Sequence, residues 1–219
     1  MRGRFPGRPT AHKSFVPLGS VRYTFQTVSW MGGTVAIRKT ISQILDEMGR
    51  MLDQVPLEGA ERLAEEVLKA DRVYVAGGGR SGLMARAFAM RLMHLGLTSY
   101  AVGETTTPAI RSGDLLLACS ASGETHVTVL VSRVAQEAGA RVFAITAIPD
   151  SPMARLADET IVIPAPSKRV ARWSERSVQY GGSLFEQALL VLLDAVSAEI
   201  GRRLGKRPQD LDSRHANLE

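Results

Sequence analysis

A repeated alternation constrains this chain more than any other feature. Short apolar runs at Arg72–Ala76, Thr98–Val102, Asp114–Cys119, Arg141–Thr146 and Thr160–Ile163 are separated by loops and helical stretches. Helical patterns follow the first run (Ser81–Leu95) and the third (Glu124–Ala138, with Gly139 as its stop). Ser151-Pro152 opens a short helix after the fourth, with Ser as cap and Pro at the first position. Strand, helix, strand through short loops predicts a parallel sheet with helices on both faces. The expected fold is a three-layer αβα sandwich, doubly wound and flavodoxin-like. Such sheets bind ligands beyond the C-terminal ends of their strands, so the candidate site lies at the loops after strands one and three.

Two further helices precede the sheet. Val35, Ile37, Ile41, Ile44, Leu45, Met48 and Leu52 form an apolar stripe that Val55-Pro56 ends, and Leu57–Ala70 turns Leu63, Val67 and Leu68 inward. Their apolar faces need a partner, and another subunit is expected to supply part of it. The stretch Pro164–Tyr180 is polar and irregular. Gly182–Leu204 reads as one long helix, apolar almost all round from Leu184 to Val196, which suits burial at an interface. The chain divides into a basic extension (1–30), one α/β domain (31–204) and a charged tail (205–219).

Two loops carry chemistry. Gly77-Gly78-Gly79-Arg80-Ser81-Gly82 matches the dinucleotide pattern at Gly77, Gly79 and Gly82, between a strand and a helix. Glu104 lies where a ribose-binding acid belongs. Against that reading, the chain is too short for a separate substrate domain, and the dinucleotide scheme needs no second anion loop. Yet a second loop is present: Ser120-Ala121-Ser122-Gly123-Glu124-Thr125 opens the helix after strand three. A phosphate needs several short hydrogen bonds and a positive helix end, and hydroxyls around a glycine at a helix N-terminus supply both. An ordinary cap, Ser122 with Thr125 three residues on, explains one hydroxyl but not three. Gly103–Pro108 reads equally as a solvated turn or a pocket wall.

Other function classes fall away. The single cysteine, Cys119, excludes an intramolecular disulfide and sits in the apolar run Leu115–Cys119 as a small buried hydrophobe. The four histidines are scattered without metal-ligand spacing. The net charge of +5 belongs to residues 1–30, which hold Arg2, Arg4, Arg8, Lys13 and Arg22 and no acid. The remainder is neutral, which removes the electrostatic case for nucleic-acid binding. No apolar run is long enough to span a bilayer, and 1–30 lacks the apolar core of a secretory signal. That segment, rich in Gly, Pro and Arg, reads as disordered. An over-long start with Met31 as the true one, an idle flexible arm and an organelle transit peptide all stay open for it.

The glycine loop Gly77–Gly82, the block Ala87-Phe88-Ala89-Met90-Arg91-Leu92-Met93-His94-Leu95-Gly96 and the segment Val102–Ile110 together resemble the 6-phospho-3-hexuloisomerase family of SIS (sugar isomerase) proteins. Ser122-Gly123-Glu124-Thr125, Gly182-Ser183-Leu184-Phe185-Glu186 and the terminal Arg214-His215-Ala216-Asn217-Leu218-Glu219 extend the resemblance over residues 34–219. It implies a five-stranded SIS sheet, a homotetramer or tight dimer with shared sites, no cofactor, and a cytoplasmic enzyme. The implied reaction interconverts D-arabino-hex-3-ulose 6-phosphate and fructose 6-phosphate, with 3-hexulose-6-phosphate synthase as working partner. His126 and Val127 depart from the family, where small or hydroxyl residues follow the threonine; His126 then meets the phosphate or faces solvent.

Moving a carbonyl from C3 to C2 takes a proton from C2 and returns one at C3 through an enediol. A carboxylate or imidazole tuned toward neutrality can do this without metal. Glu186, one turn into an apolar helix, is the first candidate base; otherwise it is an acid complementing the helix dipole. His94 read alone stabilises a helix C-terminus, and the resemblance makes it the candidate acid, reaching into a neighbouring subunit's pocket. Gly79, Arg80 and Ser81 fall at the sugar or phosphate end. Ser120, Ser122 and Thr125 hold the phosphate, with Glu124 as reserve base and His215 and Glu104 as additional candidates. Rival readings are an arabinose 5-phosphate or sedoheptulose 7-phosphate isomerase, a non-catalytic sugar-phosphate regulator, and a dinucleotide-dependent reductase.

Overall fold

A computed structural model describes residues 31–165 and 177–218, with side chains from residue 34 onward. The basic extension and most of the stretch expected between Pro164 and Tyr180 lie outside the described residues. Helices α1 (Met31–Leu52) and α2 (Leu57–Lys69) come first, broken apart where Pro56 stands. The alternation follows: β1 (Val73–Gly77), α3 (Gly79–Leu95), β2 (Ser99–Ala101), β3 (Leu115–Cys119), α4 (His126–Glu137), β4 (Arg141–Thr146) and β5 (Glu159–Val162). Helix α5 (Ser183–Arg203) and the short α6 (Pro208–Asp212) close the chain, α6 lying within the expected tail. Between β4 and β5 the expected helix is a single 3-10 turn, Ala154–Leu156, whose Ala154 N–H donates to Ser151 Oγ at 3.3 Å.

The strands are all parallel, in the order β2-β1-β3-β4-β5. This is the flavodoxin-like order, whose switch point lies between β1 and β3. Both strands are buried on both sides, as parallel strands covered by helices must be. The two-residue period then sorts their side chains. Val73, Val75, Leu115, Leu117 and Cys119 face a large core built with α1, α2, α3 and α5. Tyr74, Ala76, Leu116 and Ala118 face a smaller one beneath α4, closed by Met153. The long helix α5 buries Leu184, Phe185, Ala188, Leu189, Leu192, Leu193, Val196 and Ile200 against α3, α2 and α1. Full burial pushes the Cys119 thiol up to about 12, in keeping with a packing role.

The N-terminal end of the sheet is pinned by charge. Arg72 donates from Nε and Nη2 to the two oxygens of Asp114 at 2.8 and 2.6 Å, and Asp114 is 1% exposed. The Arg111 N–H also donates to Asp114 at 2.8 Å. The arginine lies over the Tyr74 ring, 5.4 Å from its centre. On the outside of α1, Val35, Ile37, Ile41 and Leu45 stay exposed, as the sequence stripe predicts for a face lacking a partner in its own chain. No described helix is long and apolar enough to cross a membrane.

Candidate active site

The loops leaving β1 and β3 meet at the switch point. Gly77 stands opposite Cys119 in the sheet, and a Cβ on Gly77 would come within 2.9 Å of both the Cys119 carbonyl and Gly82. A Cβ on Gly78 would stand 2.9 Å from Thr125 Cγ2. The glycines therefore let strand end, helix start and second loop close on one another. The space beside Gly78 holds protein, where the dinucleotide scheme would place a pyrophosphate. Glu104, the candidate ribose acid, is 2.9 Å from Arg86.

The second loop is braced from within. The Ser120 and Thr125 hydroxyls are 3.0 Å apart, and the Gly123 N–H donates to Ser120 Oγ at 3.1 Å. Gly123 has φ +63°, and a Cβ there would collide with Ser151. The Glu124 N–H donates to Ser122 Oγ at 3.3 Å. These bonds hold Glu124 and Thr125 out of the helix, so α4 begins at His126, two residues later than the pattern predicts. Thr125 occupies the cap position without a side-chain capping bond. The amides of the first turn thus face outward uncapped by a hydroxyl, the arrangement that receives anions. Ser122, Glu124, Thr125 and His126 line a cavity of about 720 Å³ with Arg133 and Pro152. Ser120 is 3% exposed and acts as the brace beneath it.

Glu186 joins this group from α5. Its carboxylate accepts Arg80 Nε–H at 2.5 Å and lies beside Gly182, whose added Cβ would be 3.5 Å from Glu186 Oε1 and 4.0 Å from Ala121. The β1 loop, the β3 loop and the start of α5 therefore place a guanidinium, a carboxylate and a hydroxyl-lined turn together. Ser81 is buried at the first turn of α3. The pairing of Arg80 with Glu186 is not foreseeable from local pattern, since 106 residues separate them.

His94 lies elsewhere. It sits at the far end of α3 from Arg80, fourteen rises and so about 21 Å along the axis. There it is 3% exposed, with the His215 ring stacked on it at 5.2 Å and 16°. Burial, with the nearby charges of His215 and Arg91, pushes the His94 imidazole below its ordinary value. The Arg214 guanidinium packs where a side chain on Gly96 would stand. The two histidines that sequence reading treats separately thus form one unit, distant from the pocket of their own chain.

The SIS domain model matches residues 66–190, which include both loops and Glu186. The chain belongs to the SIS domain family. It is 46% identical to a 3-hexulose-6-phosphate isomerase of Mycobacterium gastri, over 84% of this chain and 92% of that one. A 3-hexulose-6-phosphate isomerase of Bacillus subtilis is 38% identical over 82% of this chain and 97% of its own length. Among solved structures, a Methanococcus jannaschii protein for which a molecular function of 3-hexulose-6-phosphate isomerase was inferred is 32% identical. It superposes with a TM-score of 0.71 over 83% of this chain and 99% of its own.

Proposed function

We propose that this chain is a 3-hexulose-6-phosphate isomerase, the activity also called 6-phospho-3-hexuloisomerase. One observation carries the reading: an uncapped, hydroxyl-lined helix start shares the switch point of the sheet with the Arg80–Glu186 pair, which approaches the same loop at Ala121 through Gly182. The phosphate sits on the α4 amides with Ser122 and Thr125, while Ser120 keeps the turn in shape. Glu186 takes the C2 proton as base. The C–H electron pair becomes the C2=C3 double bond, and the C3 carbonyl oxygen takes the released charge close to Arg80. Glu186 returns its proton to C3 while the O2 proton passes to the C3 oxygen, leaving the 2-ketose fructose 6-phosphate. A 3-ketose esterified at O6 cannot close a furanose on C3, so the forward reaction starts from the open chain. Gly79 and Ser81 shape the sugar end, and Glu124 stands in reserve.

The remaining candidates fit an assembly. The exposed apolar stripe of α1 supports a homotetramer, or at least a tight dimer. In such an assembly His215, exposed on its buried platform His94, is the imidazole of the pair that can meet a second copy's pocket. We place the enzyme in the cytoplasm, with 3-hexulose-6-phosphate synthase supplying its substrate. Coupled detection of fructose 6-phosphate formed from hexulose 6-phosphate tests the reading. Turnover without added cofactor is the expected result. No turnover, together with thermal stabilisation by NAD(P) but not by fructose 6-phosphate, would overturn it in favour of a dinucleotide enzyme.

A further inference from the structure

Glu47 is a buried acid that the proposed chemistry does not use. It lies on α1, 8% exposed, in a stretch that reads from sequence only as part of an apolar stripe. A buried carboxylate is costly unless its oxygens are occupied, and here they are. Oε2 accepts the Ser177 hydroxyl at 2.7 Å and Gln179 Nε2 at 3.4 Å, and Oε1 accepts the Val178 N–H at 2.9 Å. Burial alone would push this carboxyl up. The three hydrogen bonds and the charge of Arg50 outweigh burial and hold it below the ordinary carboxylate value.

The bonds continue from this clasp toward the active site. The Gln179 N–H donates to Ser177 Oγ at 3.0 Å. The Tyr180 carbonyl accepts both the hydroxyl and the N–H of Ser183, at 2.8 and 3.3 Å. Gly181, at φ +63°, supplies the left-handed turn between them. The Glu186 N–H then donates to the Gly182 carbonyl at 3.0 Å, already in the first turn of α5. Hydrogen bonds thus fix the segment at 177–179 and again at the Tyr180–Ser183 turn, and three residues further along the chain stands the proposed base.

We infer that Glu47 is a positioning residue: it clamps residues 177–179 and so fixes the entry of α5 that aims the Glu186 carboxylate. The inference rests on the proposed isomerase reading for its kinetic consequence. A charged acceptor suits the task, because one carboxylate takes three donors at once and fixes a turn that has no ladder of its own. The phosphate turn lies on β3 and α4, outside the clamped segment. Loosening the clasp therefore misaims the base and leaves phosphate binding alone.

The test uses Glu47→Gln and Ser177→Ala in the full chain. Because small misplacements of a catalytic group are amplified in rate, kcat is expected to fall about tenfold in Glu47→Gln and about threefold in Ser177→Ala, with KM within about twofold. Amide hydrogen exchange is expected to speed up across residues 177–186 in both variants, with the strands unaffected. Wild-type kcat in the folded variants, a rise in KM alone, or unchanged exchange at 183–186 would overturn the inference. Should Glu47→Gln not fold, Ser177→Ala decides. Should the wild type show no isomerase turnover, the functional reading falls, and exchange at 183–186 alone decides for or against the clasp.

Discussion

The two ends of the sheet handle charge in opposite ways. At the N-terminal end Asp114 and Arg72 satisfy each other, with the aspartate side chain fully buried and the arginine half-buried. At the C-terminal end Arg80 is 58% exposed while holding Glu186, and the α4 amides next to it lack a side-chain cap. The first arrangement is closed: both Asp114 oxygens are taken by Arg72, and the Arg111 N–H adds a third donor. The second is open, with groups held in place but free to exchange partners for a ligand. The same strands β1 and β3 carry both ends. The pinned end fixes their register, and register sets where the reactive loops emerge.

Exchanging a group at each end should separate the two roles. Glu186→Gln is expected to lower kcat by about a thousandfold, the range of a lost acid–base group, while the thermal midpoint moves little. Turnover at the wild-type rate would remove Glu186 from the mechanism. Asp114→Asn should do the reverse, costing about 3 kcal/mol in urea unfolding with kcat of the folded enzyme unchanged. Burial pushes the Asp114 carboxyl up, but the Arg72 hydrogen bonds and the Arg111 N–H outweigh it and hold it below its ordinary value. Its contribution is therefore present above the unfolded carboxyl value, about 3.9, and lost as pH falls through the lower folded value. The stability gap between wild type and Asp114→Asn should narrow below about pH 4, and a gap independent of pH would count against the pin. Smallest of the three, Ser122→Ala should raise KM about fivefold through one lost hydrogen bond of roughly 1 kcal/mol, with kcat within twofold. An unchanged KM would move the phosphate off this turn.

The sequence reveals the open end more readily than the closed one. Hydroxyls, a glycine and a helix start cluster within six residues of chain, so the proposed phosphate turn is legible locally. Asp114 and Arg72 are 42 residues apart, and only the pairing of β1 with β3 brings them together. Glu47 and its clasp are hidden likewise, by more than 130 residues and by an apolar periodicity that treats any acid as surface. Strand positions follow from apolar runs because a parallel sheet has no polar face to confuse them. Helix starts are less legible. Ser120 and Thr125 delay α4 by bonding to each other, while Gly79, at φ +56°, lets α3 begin earlier than its apolar stripe suggests. The partnership of His94 with His215 depends on where α6 returns the chain, which no local pattern records.

Helix α3 is also a ruler. Arg80 marks one end and His94, carrying His215, the other, and the rod between them is unbroken. In an assembly where each end serves a different pocket, its length sets the spacing of neighbouring pockets. One inserted residue would lengthen it by about 1.5 Å and swing the far end by about 100°. Substitutions along its exposed flank leave that gauge intact; insertions and deletions do not.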